Sequence, residues 1–299
     1  SISLGLSGAS GVTTLTSERV DEKDFSNSAN TIAAADIKIN GFNAFASDFT
    51  SDTSASSANE ALLLATAVNA NTGVHGAEAD AFNSVSSSAK GTFNMSSTFT
   101  INGDTVALAT SYKGLTANIN EAVSGINASL NADNTITLSN KTGEGIIIAG
   151  SASSDVGFTA GTFSGFVSLK NLDSSVVKIE AGSENNGYNN GLGTIADVNA
   201  IGFNETSSTG ALKTAAVSGT ALSANEIKIN DVLIGESSSG QASSIADAIN
   251  AKSVTSGVTA DANNQVQLAL NFSAVPGGSS EFFINNTAVN LTSANGMAG

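Results

Sequence analysis

The sequence predicts an α+β fold of repeated small modules. Each module is a β-hairpin, a helix and a second β-hairpin, so that one helix packs on one antiparallel sheet, and the whole is expected to be elongated and multi-domain. Three observations predict this. The word Ile-Asn followed by a turn residue closes a strand-like segment at three places. A helix-like segment follows after a polar spacer. The helices share the ending Ile/Val-Asn-Ala, a self-similarity that calls for a repeat architecture.

The hairpins come first in each copy. Ile37-Lys38-Ile39-Asn40-Gly41, Phe99-Thr100-Ile101-Asn102-Gly103 and Ile227-Lys228-Ile229-Asn230-Asp231 alternate large apolar and polar side chains, as a half-buried strand does. Asn-Gly, in the first two, supplies the positive φ of a tight hairpin turn. A second apolar run at residues 42–45, 105–108 and 232–234 completes each hairpin.

The helices follow. Leu115, Ile119, Ala122, Val123, Ile126 and Leu130 fall on one stripe of a helical period. In the first copy Ser57-Ala58-Asn59-Glu60 has the spacing of a capping box ahead of a helix over 61–68. The third helix is expected over residues 242–252. The endings are Val68-Asn69-Ala70, Ile126-Asn127-Ala128 and Ile249-Asn250-Ala251, and their Asn is expected to close the helix in the αL conformation. Val198-Asn199-Ala200, after Ile195-Ala196-Asp197, supplies a fourth ending.

Strand-like segments return at 135–139 with 145–149, and at 266–270 with 281–285. A partial copy is expected over 171–220, with 176–179 as its strand. Residues 151–165 and 180–193, rich in Gly, Ser, Thr and Asn, read as connections, and 84–89 as a solvent-facing loop. The charge cluster from Arg19 to Asp24 reads as a solvated turn or strand edge.

Composition excludes several functions. Eleven Lys+Arg against 26 Asp+Glu give a net charge of −15, and the basic residues are scattered singly, which argues against a nucleic-acid partner. No run approaches the ~18 apolar residues of a membrane span. Without Cys there is no disulfide framework and no thiolate metal site. The chain opens on Ser1 without an initiator Met or an apolar leader, as a processed product or a piece of a longer protein does.

Catalytic chemistry finds no foothold in this sequence. A nucleophile–His–acid triad would have to use His75, the one histidine, which sits between Gly73 and Gly76 and reads as an exposed loop residue. A zinc-protease helix needs two His. Asp and Glu are dispersed, so no carboxylate pair stands out for glycoside hydrolysis. Gly143-Glu144-Gly145 and Gly191-Leu192-Gly193 lack the rest of a dinucleotide fingerprint and read as loops. No catalytic, cofactor-binding or metal residue is nominated, and no cofactor is expected.

One stretch carries a family resemblance. It runs from Ser218-Gly219-Thr220-Ala221-Leu222 through Ile227-Lys228-Ile229-Asn230-Asp231-Val232-Leu233-Ile234-Gly235. It continues with Ser244-Ile245-Ala246-Asp247-Ala248-Ile249-Asn250-Ala251 and Gly257-Val258-Thr259-Ala260. These words resemble the IN motif of bacterial flagellins and some flagellar hook-associated proteins. The copies at 36–95 and 97–150 share mainly the strand and helix endings, while 1–30 and 151–190 carry no resemblance.

The resemblance is to the variable, outward-projecting insert of a flagellin and not to its filament-core helices. It implies a non-enzymatic structural component of the flagellar filament, extracellular, serving motility from the filament surface. Its partners would be other flagellin subunits, met through regions outside this chain, with O-glycosylation on Ser or Thr and a monomeric isolated fragment. A proximal outer part is then expected from 1–30 with 151–299, carrying repeats near 171–220 and 221–299. A distal part is expected from 31–150, with repeats near 31–95 and 96–150; a linear string of modules is the alternative. The rival functions are a flagellar cap or hook-associated protein, and an adhesin or glycan-binding module using Asn, Asp and Tyr112 or Tyr188.

Overall fold

The computed structural model describes residues 2–6, 13–20, 31–51, 58–90, 92–182, 193–207, 211–213, 217–263 and 280–291. It shows a mixed α/β protein of small sheets, and every strand pairing among the described residues is antiparallel. Ser1–Asn264 and Gln265–Gly299 form separate compact units.

Strands β1 (Ile2–Leu6) and β2 (Thr14–Thr16) open the first unit. Then come β3 (Thr31–Ile32), the hairpin β4–β5 (Ile37–Ile39 and Phe42–Asn43) and β6 (Phe49–Thr50), with β6 pairing back to β3. Asn40 and Gly41 have φ of 53° and 85°, the two left-handed residues of a type I′ turn. Helix α1 (Glu60–Asn69) buries Ala61, Leu64, Ala65 and Val68, a stripe in three- and four-residue steps. The single turn α2 (Thr72–His75) stops at left-handed Gly76, which redirects the chain into the long strand β7 (Ala77–Ser86).

The second hairpin is β8–β9 (Phe99–Ile101 and Asp104–Val106), closed by Asn102 and Gly103 at φ of 51° and 87°. Ser111 caps α3 (Tyr112–Ala122) by accepting from Gly114 N at 3.1 Å. The chain then forms the hairpin β10–β11 (Asn127–Leu130 and Ile136–Asn140), β12 (Ile146–Ala149), a 3-10 helix (Ser151–Val156) and β13 (Gly161–Phe163).

β14 (Phe166–Asn171) returns beside β7, and β15 (Ile179–Ala181) adds to β4. Next come α4 (Ile195–Ala200), β16 (Glu205–Thr206) and β17 (Leu212–Lys213). The third hairpin, β18–β19 (Lys228–Ile229 and Val232–Leu233), turns on Asn230 and Asp231 at φ of 47° and 65°. α5 (Ala242–Asn250), α6 (Ser253–Ser256) and β20 (Val258–Ala262) follow, β20 pairing with β1. In the second unit β21 (Ser280–Ile284) and β22 (Thr287–Leu291) form a hairpin on Asn285 and Asn286, again both left-handed.

Among the described residues three cores organise the first unit. One joins Ile37, Ile39, Leu64 and Val68 to Val167, Leu169, Ile179 and Val198. The second lies wholly within 85–158, around Ile101, Leu115, Ile119 and Leu138. The third is small: Ile234, Ala246, Ala248, Ile249 and Ala260. The core of the first hairpin is thus closed by strands from 166–171 and 179–181, which a boundary at residue 150 would place in another domain.

Several expectations change. The order hairpin, helix, hairpin occurs at 99–140, but its two hairpins lie in different sheets, and the expected pairing of 135–139 with 145–149 is absent: β11 pairs with β10 and β7, and β12 with β8 and β13. After α1 and after α5 the next strand pairs with β14 and with β1. α3 stops at Ala122, so Ile126 and Leu130 leave the stripe and Ile126-Asn127-Ala128 leads into β10. Asn59 holds the N-cap position of α1 without a side-chain cap bond, its side chain accepting instead from Gly145 N, and Ser57 of the expected box lies outside the described residues. That box appears instead at α4, where Asp197 accepts from Thr194 N at 2.6 Å. Val176 precedes its strand, and β15 serves the first hairpin rather than a separate copy. Residues 151–165 hold a 3-10 helix and a strand, and Glu180 lies within β15. The strand expected at 266–270 lies outside the described residues.

Candidate functional site

Asparagine does most of the polar work near the turns, and it acts in two positions. The first is the turn. Asn40 donates its N–H to Lys178 O and accepts from Lys178 N on its side-chain oxygen, so one residue imitates a strand rung. Asn102 does the same with Ile147. The side-chain amide of Asn40 donates to His75 O at 2.8 Å, and that of Asn230 to Ser256 O at 2.8 Å. In both cases the acceptor stands immediately before a left-handed glycine, Gly76 or Gly257.

The second position is the last turn of the helix. Asn69 accepts from Ala79 N and donates to Ala79 O, both at 2.8 Å. Asn250 holds Ala260 at the same two distances, and Asn120 holds Ala128 at 2.7 and 2.9 Å. These asparagines do not terminate helices in the αL conformation: Ala70 and Ala251 follow them in the right-handed region. The left-handed residues are Gly76, Gly125 and Gly257, further on.

His75 is buried at 3% exposure, contrary to the expected exposed loop. Its Nδ1 accepts from Ala77 N and its Nε2 lies 3.1 Å from Val68 O. Those bonds select the neutral ring carrying its proton on Nε2. Burial pushes its pKa below the ordinary 6.5, against smaller opposing effects from backbone bonds to Val68 and Ala44. Both nitrogens are engaged with backbone, so the ring is a structural pin and not a base facing a nucleophile.

A surface cavity of about 460 Å³ adjoins this pin, lined by Asn40, His75, Gly76, Asn171 and the 172–176 turn. Its polar groups largely satisfy one another. Asn171 accepts from Asn40 and donates to Ser175 Oγ and Val176 O, while Asp173 accepts from Ser175 N. Hydrogen bonds from Ser175 hold the Asp173 carboxyl below the usual range. A second groove of about 270 Å³ runs beside α1, lined by Phe49, Leu63, Thr66 and Ala67. Among the described residues no group of three or more His, Asp or Glu could hold a metal ion.

Neither a protein-family model nor a curated protein matches the chain.

Other expected residues are relocated. Tyr112 is buried, edge-on to Phe93 at 4.9 Å with its hydroxyl donating to Lys90 O, so it offers no face to a sugar. Tyr188 lies outside the described residues. Of the cluster from Arg19 to Asp24, Arg19 is packed rather than solvated, and residues 21–24 lie outside the described residues. Its guanidinium sits 4.5 Å over the Phe166 ring and donates to Asn83 Oδ1, Ser84 O and Ser164 O. Ser87 is not on an open loop: its Oγ accepts from Ile136 N and only 6% of it is exposed. Among the described residues no helix is long and apolar enough to cross a membrane.

Proposed function

We propose that this chain is the solvent-exposed outer part of a bacterial flagellin, a structural component of the flagellar filament built from repeated hairpin–helix modules. One observation carries the reading. The Ile-Asn turn and an asparagine in the helix's last turn recur three times, and each helix asparagine makes the same pair of bonds to the following strand. Those are the words through which residues 218–260 resemble the flagellin IN motif.

The chemistry of the chain suits that role. Its net charge of −15 keeps densely displayed neighbours apart in solution, and the lack of Cys prevents cross-linking outside the cell. Its cores serve the fold and its turn amides are engaged mainly with backbone groups, as in a structural element. Partner subunits would be met through regions outside these residues.

The test uses Ala132→Cys, at the exposed tip between β10 and β11, in the parent protein in its native cells. Maleimide dye along whole filaments is the expected result. Dye confined to tips or bases would make the protein a cap or junction element, and dye on cell bodies with bare filaments would make it an adhesin.

A further inference from the structure

The first and third copies share one junction, and of the two only the first has an ionisable side chain in it. In the third, Ser256 is buried, its Oγ accepts from Val258 N at 3.3 Å, and its carbonyl accepts from the side chain of Asn230. In the first, His75 holds the same place. It too is buried, its Nδ1 accepts from Ala77 N at 3.1 Å, and its carbonyl accepts from the side chain of Asn40. More hangs on His75 than that one bond. Asn40 also donates to Asn171 Oδ1 at 2.7 Å, and Leu172 N donates to Gly76 O at 2.9 Å. The β4–β5 turn, the start of β7 and the 171–176 turn therefore meet around this residue.

A backbone N–H can only donate, so Nδ1 must stay unprotonated for the junction to close. An imidazolium carries a proton on both nitrogens, and its Nδ1–H would stand against Ala77 N–H. We infer that His75 is an acid-released latch: at neutral pH it ties the β4–β5 turn and the 171–176 turn to the start of β7, and in acid it frees them while the core behind stays closed. Gly76, left-handed at φ 74° with open space where a side chain would stand, is the hinge. The protonated ring has room in the cavity of about 460 Å³ that it lines, where Asp173 offers a carboxylate. Bonds from Ser175 keep that carboxyl ionised well into acid. The other charges around the junction are paired or distant. Lys170 of β14 pairs with Glu78 and Asp80 of β7, and Lys178 with Glu180. Lys38 of β4 lies across from Glu180, and Glu60 stands at the opposite end of α1 from Val68. The ring's affinity for protons answers to burial and to backbone bonds with Val68 and Ala44, not to these charges.

The experiment reads amide exchange residue by residue in the full chain at pH 7 and pH 5, as protection factors that remove the intrinsic effect of pH. Protection of Gly76, Ala77 and Leu172 should fall by about tenfold or more, because the released ring takes up its proton near the ordinary 6.5. Leu64 and Leu169 of the same core should keep theirs, and so should Val258 and Ala260 of the third copy. An equal loss throughout the first core overturns the latch, since the ring would then take its proton only on global unfolding. Unchanged protection at the three amides overturns it too. His75→Ser should abolish the response at Ala77 and Leu172, and a response that persists in that variant counts against the latch. Nitrogen NMR of the ring in the parent chain needs no variant: a neutral ring protonated on Nε2 is expected at pH 7. A ring that is cationic there, or protonated on Nδ1, ends the proposal.

Discussion

Asn69, Asn120 and Asn250 each replace one rung of a ladder, with a side-chain amide standing where a peptide would. Such a pair needs an acceptor and a donor in fixed places, so a carboxylate is the wrong shape in one atom only. Asn250→Asp keeps the acceptor for Ala260 N and sets an anionic oxygen against Ala260 O. It should cost about 1–2 kcal/mol at neutral pH. The new carboxyl gains a donor only when protonated, so its folded pKa lies above its unfolded one. The penalty should therefore shrink as pH falls through that raised value, which paired urea melts of variant and parent at pH 7 and pH 4 would show. His75 titrates with the opposite consequence. It is neutral in the fold with a lowered pKa, so its contribution is complete above the ordinary 6.5 and declines as pH falls below it. His75→Ser copies the buried Ser256, whose Oγ likewise accepts from the backbone N–H two residues on. The melting temperature of that variant should fall less than that of the parent between pH 7 and pH 5.

At the scale of the elements, the turns were readable from the residues because Asn-Gly has few uses between alternating apolar positions. Gly103, at φ 87°, has open space where a side chain would stand, so only its backbone conformation resists substitution. Gly103→Ala should destabilise by about 1–2 kcal/mol, the cost of a left-handed residue with a Cβ. Gly103→Asn should cost less, since Asn286 occupies the same turn position at φ 61° in β21–β22. Thermal melts of the two variants would rank them. The helix ends were harder to read. An Asn near a helix end can close it by adopting αL or can reach forward to a strand, and both leave the same word in the sequence. Ile126-Asn127-Ala128 is not an ending for this reason: Ile119-Asn120, seven residues earlier, makes the clamp. The burial of His75 was hidden because its partners Val68 O and Ala77 N are backbone atoms, which no side-chain pattern announces.

For the first unit taken whole, the pairing of distant strands was beyond the sequence. β15 joins β4 and β14 joins β7 across long separations, and nothing in their short apolar runs names a partner. The crossing from one core to the next is tight. A Cβ on Gly165 would stand 2.5 Å from Gly143 O and 2.8 Å from Phe82 O, both backbone atoms. Gly165→Ala should therefore destabilise by about 3 kcal/mol, since the backbone itself must move. A urea melt measures it, and a near-neutral result would mean that the crossing is loose. Arg19 braces the same place through Asn83, which also donates to Glu144 O and Phe163 O. Arg19→Gln should raise amide exchange around 83–84 and 163–166 more than in α1.

The chain leaves the first core along β7 and comes back along β14, and the two are adjacent rungs at Phe82 and Phe166, whose rings stack at 5.3 Å. Exit and re-entry are therefore neighbours, and the intervening stretch, with its own core, hangs from one doorway. Such a stretch is a cassette. Its own interior can change while the frame keeps its interior, provided that the bonds of Asn59 to Gly145 and of Asn83 to Glu144 at the doorway are kept.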